Sequence, residues 1–243
     1  MRRASSSPAG RPAPDAAGAA RGRAVPAAGK WPAWVKPAVF VASLYPLARL
    51  VVLGFLPDGL GVNPVEFVTR STGLWTLVFV CITLAITPLR RLTGLNALVR
   101  VRRMLGLYAF FYATLHFLSY IWFDMWFDLA DVLEDIVKRP FIMVGFAAFV
   151  LLAVLAATSP QAMVRRLGRR WRILHRAVYA IGVLAILHFW WMMASKHNLA
   201  LPKLYAAIMV VLLGWRVGAW LLGRSGRGGN GSKGGTPAGA SSP

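Results

Sequence analysis

The chain has 243 residues, 57% of them hydrophobic, with a mean hydropathy of +0.56 and a formal charge of +20. A soluble domain cannot bury that much apolar surface, so length alone would mislead about domain number. The charge forms no single basic face: seven of the eight acids lie between Asp58 and Asp135, and the arginines cluster in two other loops, a pattern of membrane topology rather than of nucleic-acid binding.

Residues 1–36 form a basic tail rich in Ala, Pro, Gly, Ser and Arg, and no signal-type hydrophobic stretch precedes Trp31. The first apolar segment runs from about Pro37 to Leu56, with Trp31 and Trp34 as interfacial anchors and with Pro46 and Arg49 inside it. Arg49 can face a propionate, an acidic lipid or a structural partner, and the sequence leaves these open. Pro57–Pro64 is turn-rich, and Val65–Ser71 reads as a short polar stretch. The second segment, about Leu74–Leu89, is expected to end at Thr87 and Pro88, before Arg90 and Arg91. The third, about Met104–Phe123, carries His116. Asp124–Arg139 holds five acids and predicts a short surface helix stopped by Pro140.

The fourth segment is Phe141–Ala157, followed by the arginine-rich loop Thr158–Arg172. The fifth, about Ile173–Met193, carries His175 and His188. A linker with Lys196 and His197 leads to the sixth, about Pro202–Leu222, and His197 reads as a solvated loop residue. Residues 223–243 are a flexible Gly/Ser-rich tail. No repeat with a period of 20–50 residues is visible. The single cysteine, Cys81, reads as a small buried hydrophobe.

Six segments of roughly 20 residues predict an all-α polytopic membrane protein, a six-helix bundle over residues 37–222. The loops after segments two and four each carry five arginines and no acid. The positive-inside rule then puts both termini and those loops in the cytoplasm, with Asp124–Arg139 outside.

Ionisable groups inside membrane helices are costly and mark functional sites. His188 lies 13 residues beyond His175, roughly 20 Å along a helix, and His116 falls at the depth of His188. Two imidazoles facing each other at one level can hold a haem iron from both sides. His175 would serve a second haem nearer the arginine loops. The residue 14 positions before His116 is Arg102, which cannot readily ligate iron but can pair with a propionate. On a continuous helix His175 and His188 stand roughly 140° apart, so they need not face one partner. The alternative for any buried histidine is a hydrogen bond between helices. Gly106 and Gly182 can admit a haem face or simply pack helices.

The sequence holds no GxGxxG, P-loop or HExxH, and no flavin or nicotinamide module follows the membrane part. It reads as an electron conduit whose donor and acceptor are separate molecules. A haem-free small transporter or membrane scaffold is the alternative from another class.

Ile86–Tyr120, Lys138–Phe146, Thr158–Tyr179 and Gly59–Gly73 together resemble the MsrQ (YedZ) haem-binding membrane subunits, over about Pro37–Leu222. The resemblance implies the ferric-reductase-like membrane fold and b-type haem, one or two, held by His116, His175 and His188. It implies electrons drawn from quinol in the bacterial inner membrane and passed to MsrP, a periplasmic molybdopterin enzyme that reduces methionine sulfoxide in oxidised proteins. FMN binding is also described in the family and enters as a candidate cofactor. Relative to ferric reductases proper, Arg102 stands where a fourth histidine is expected, and the long basic N-terminal tail departs from the family's compact start.

Overall fold

The computed structural model describes residues 32–194 and 198–228, so the N-terminal tail up to Trp31, Lys196, His197 and most of the C-terminal tail lie outside the described residues. The described residues form helices throughout: α1 (Val35–Phe55), α2 (Pro64–Thr93), α3 (Leu98–Phe123), α4 (Leu129–Lys138), α5 (Pro140–Ala157), α6 (Gln161–Leu167), α7 (Arg169–Leu174), α8 (Ala177–Ala194) and α9 (Ala200–Gly228). Six stretches are long and apolar enough to cross a bilayer: α1, α2, α3, α5, α7 with α8, and α9. The chain is a multi-pass membrane protein.

The second segment is longer at both ends than its apolar run predicts. At its start the Asn63 side chain accepts a hydrogen bond from the Glu66 N–H (3.1 Å) and Pro64 occupies the first turn, so the polar stretch 65–71 is helix rather than loop. At its far end Pro88 was expected to stop the helix. A proline in a helix removes the N–H that would meet the carbonyl four residues back, here that of Leu84. Arg216 of α9 supplies the missing donor, its Nη2 lying 2.8 Å from the Leu84 oxygen, and α2 continues to Thr93. Gly94 closes it with φ of 72°, a left-handed cap that glycine adopts without a Cβ penalty.

The fifth segment is broken where the sequence suggested one helix. α7 ends at Leu174 and α8 begins at Ala177, with tight turns between: the Arg176 N–H meets the Ile173 carbonyl (3.1 Å) and the Tyr179 N–H that of Arg176 (3.0 Å). The angle deduced for a continuous helix from His175 to His188 therefore does not apply. At the other end of the chain, α9 continues past Leu222 to Gly228.

Helices α2, α3, α5 and α8 pack in a ring, each against the next, with α1 laid on α2 and α3, and α9 on α2 and α8. The arginine-rich connections lie at one end and the acids at the other, called here the arginine end and the acidic end. In a bilayer lipid is as apolar as leucine, so packing and internal hydrogen bonds hold the bundle. Phe79 stacks on Tyr112 (5.4 Å) and on Tyr108 (5.7 Å), and Val80, Leu84, Tyr112 and Ile181 are shut from the surface. At the acidic end α4 is capped by the Asp128 carboxylate, which accepts from the Ala130 and Asp131 N–H groups. It is anchored by the Tyr120 hydroxyl donating to Asp135 (2.7 Å), while Leu129, Leu133 and Val137 stay exposed along one stripe.

Two tyrosines on α3 hold α1. Tyr108 donates its hydroxyl to the Phe40 carbonyl (3.0 Å). The Tyr112 hydroxyl donates to Ser43 O (2.8 Å) and accepts from Leu47 N–H (3.3 Å), entering the ladder beside Pro46, where the helix is already short of a donor. Tyr112→Phe removes the hydroxyl that ties the backbone of α1 at Ser43 and Leu47 to α3. It is expected to cost about 1–2 kcal/mol, read as a lower thermal midpoint of the detergent-solubilised protein with helix content unchanged.

Candidate functional site

His116 and His188 meet across the middle of the four-helix ring. Their ring centroids are 6.2 Å apart and their planes cross at 74°. Each is held from behind by a backbone carbonyl of the neighbouring helix. His116 Nδ1 lies 2.8 Å from Thr69 O on α2, and His188 Nδ1 lies 2.7 Å from Phe141 O on α5. A carbonyl only accepts, so both Nδ1 atoms carry the proton and both Nε2 atoms keep a lone pair.

Glycine makes this approach possible. Four residues after each accepting carbonyl comes a glycine on the same helix face, Gly73 after Thr69 and Gly145 after Phe141. A Cβ at Gly73 would lie 3.0 Å from the His116 ring, and one at Gly145 only 2.6 Å from His188 Nδ1. The two half-sites have one design, with 47 residues between carbonyl and histidine in each, and a shift of 72 residues carries Thr69, Gly73 and His116 onto Phe141, Gly145 and His188. The same shift superposes Ala113-Thr114-Leu115-His116-Phe117 on Ala185-Ile186-Leu187-His188-Phe189, and Pro88 on Pro160. The period of 72 residues is longer than that of a 20–50-residue solenoid repeat, and its signal in sequence is one glycine at the same place in each half.

What the pair can hold follows from its geometry. Metal–imidazole bonds of about 2 Å, with about 1 Å more from each nitrogen to its ring centre, put two ligands of one metal about 6 Å apart between centroids. The observed separation matches. Among the described residues no three His, Cys, Asp or Glu side chains gather as a metal-binding group. A metal here has two protein ligands and must bring the rest of its coordination sphere with it, which is what an iron porphyrin does. Phe141 packs beside His188 (6.2 Å), and Phe117 with Phe146 and Phe149 forms an apolar wall next to His116.

The other sequence candidates lie elsewhere. His175 is at the arginine end, in the break between α7 and α8, where it stacks on Trp171 (4.0 Å) with Nδ1 3.2 Å from the Trp171 carbonyl. Arg102 lies within electrostatic reach of His175 and of Arg216. Arg216 was not singled out from sequence; besides Leu84 O it bonds the Tyr179 hydroxyl (2.6 Å). Gly106 and Gly182 serve packing instead of the histidine pair: a Cβ at Gly182 would strike Met209 at 2.9 Å, and one at Gly106 would touch Thr83 at 3.9 Å.

Residues 72–187 match the model of the ferric reductase like transmembrane component. The chain is 62% identical to a Bordetella parapertussis protein over 186 residues, covering 76% of this chain and 90% of that one. It is 62% identical to a Ralstonia nicotianae protein (79% and 88% covered) and 50% identical to one from Xanthomonas campestris pv. campestris (75% and 85% covered). Each relative is named as the heme-binding subunit MsrQ of the protein-methionine-sulfoxide reductase. No solved structure matches the chain.

The glycine distances set an order of sensitivity. Gly145→Ala is expected to destabilise by about 1–3 kcal/mol through overpacking against the His188 ring, and Gly73→Ala by less, since its contact is looser. Thermal unfolding of the two variants beside the parent protein reads this order.

Proposed function

The chain belongs to the MsrQ family of membrane subunits, and on that premise we propose that it is a b-type cytochrome carrying electrons from the quinone pool to MsrP, the periplasmic enzyme that repairs methionine sulfoxide in oxidised proteins. The observation that carries the reading is the pair of imidazoles 6.2 Å apart, each with its Nε2 lone pair available. Haem bound there supplies a carrier of single electrons. The chain's own part is to orient both ligands: the hydrogen bond to each Nδ1 fixes the tautomer and makes Nε2 the more basic donor. Phe117, Phe146 and Phe149 pack ring against ring and add apolar surface at this level of the bundle.

At the arginine end His175 is the ligand of a second haem, with Arg102 and Arg216 as guanidinium partners for its propionates. No carboxylate among the described residues lies in the arginine-end connections, so an acidic group brought by a cofactor would find those cations uncompensated. The phosphate of FMN would meet the same two side chains.

In the bacterial inner membrane both termini and the arginine end face the cytoplasm, and α4 with its flanking acids faces the periplasm. That end is the docking side for MsrP. Glu134 and Asp135 are engaged with Lys138 and Arg139 and Asp128 caps α4, which leaves Asp124 and Asp131 as the acids available to a partner. Burial, opposed by Arg139 and reinforced by Asp135, raises the carboxyl of Asp124 above its usual range. Asp131 is exposed on α4 and is the charge whose removal is tested.

Reduced-minus-oxidised absorbance of the purified protein tests the reading. Sharp b-type bands are expected, lost for the paired site in both His116→Ala and His188→Ala, while His175→Ala removes only a separate component. A colourless protein, purified after haem was supplied during expression, would instead favour a haem-free transporter or scaffold. Asp131→Asn is expected to slow reduction of MsrP severalfold at low ionic strength, with the haem bands intact.

A further inference from the structure

Towards the acidic end, α1, the α1–α2 connection, α2 and α9 line an open cleft of about 640 Å³. Phe67, Trp75 and Tyr205 give it aromatic walls beside aliphatic ones, and its polar side chains are Arg49, Asn63, Glu66, Arg70 and Ser71. Arg70 Nη2 pairs with Glu66 Oε1 (2.7 Å), yet Arg70 Nε is buried with no hydrogen-bond partner. Arg49 lies over the Phe67 face, its guanidinium carbon 5.8 Å from the ring centre. The Arg70 side chain is 38% exposed, so its guanidinium offers the cleft a hydrogen-bond donor beside the Glu66 acceptor.

The cleft is linked to both halves of the site through sequence neighbours. Arg70 follows Thr69, whose carbonyl holds His116, and Tyr205 packs on Phe189 (6.4 Å), the neighbour of His188. On the two helices flanking it, Val52 and Phe55 of α1 and Leu201 and Leu204 of α9 are exposed apolar side chains, the surface that meets lipid.

We propose that this cleft binds the ring of a quinol or quinone, which places the exchange of reducing equivalents at the acidic end, on the turn of α2 whose Thr69 carbonyl holds His116. The chemistry selects that occupant. A planar ring with an oxygen at each end fits between Phe67, Trp75 and Tyr205, and the volume lies within the range of small-molecule sites. The guanidinium of Arg70 donates to a quinone oxygen, and the Glu66 carboxylate accepts from a quinol hydroxyl. A lipid phosphate would have to sit against that carboxylate, whereas a neutral ring does not.

The inference rests on the electron-transfer reading but is tested apart from it, by titrating decylubiquinone into the haem-loaded protein in phosphatidylcholine nanodiscs. Saturable binding is expected, weakened about tenfold in Arg70→Gln and less in Arg49→Gln, with haem bands and thermal midpoint unchanged. Arg49 is exposed, so its replacement does not threaten folding. Trp75→Leu is expected to weaken binding through the ring contact alone. No saturable binding, or an affinity unmoved in all three variants, overturns the cleft while leaving the haem reading intact. Displacement of the quinone by added phosphatidylglycerol would show a lipid-headgroup site and overturn it too. A colourless protein that still binds decylubiquinone through Arg70 would keep the cleft and remove the haem.

Discussion

Everything at the centre of this molecule depends on an imidazole N–H meeting a carbonyl of the next helix, made twice. Inside a bilayer no water takes up an orphaned N–H, and leaving one unmet costs about 1–3 kcal/mol. Thr69 and Phe141 already belong to helices, but a carbonyl oxygen has two lone pairs, so each can accept from a histidine without losing its helical bond. Only the missing Cβ of Gly73 and Gly145 lets the ring come that close. The usual structural reading of a buried histidine, a hydrogen bond between helices, is therefore true here, and it is also what leaves the opposite nitrogen ready to bind.

The bundle is two copies of one helical pair, α2 with α3 and α5 with α8, offset by 72 residues. At the level of His116 and His188 the copies agree in ligand, carbonyl and glycine. At the arginine end they diverge. Carried back by the same shift, His175 falls on Arg103, although it is Arg102 that reaches it electrostatically. The break between α7 and α8 has no counterpart in α3, which runs unbroken from Leu98 to Phe123. One end of the molecule is thus a symmetric pair and the other an asymmetric, cationic cluster.

Much of this was legible without coordinates. Segment number, the separation of acids from arginines and the shared depth of His116 and His188 follow from hydropathy and a 1.5 Å rise per residue. Pro88 misled because its meaning depends on a residue 128 positions away: Arg216 supplies the donor that the proline removes. The helix break at His175 was hidden because Trp171–Tyr179 contains neither Gly nor Pro to announce it. Gly73 and Gly145 were passed over in favour of Gly106 and Gly182 because only a three-dimensional register tells which glycine faces a histidine and which faces Met209. Arg70 and Tyr205 come together from α2 and α9, a contact that no local pattern encodes.

The central claim is that one iron lies between His116 and His188, held by imidazoles whose planes cross at 74°. Electron paramagnetic resonance of the oxidised, haem-loaded protein reads that angle. Nearly perpendicular imidazoles give a low-spin ferric signal of very large g anisotropy, and this account predicts such a signal, absent from His188→Ala. A well-resolved rhombic low-spin spectrum, as parallel imidazoles give, or a purely high-spin signal, would contradict it.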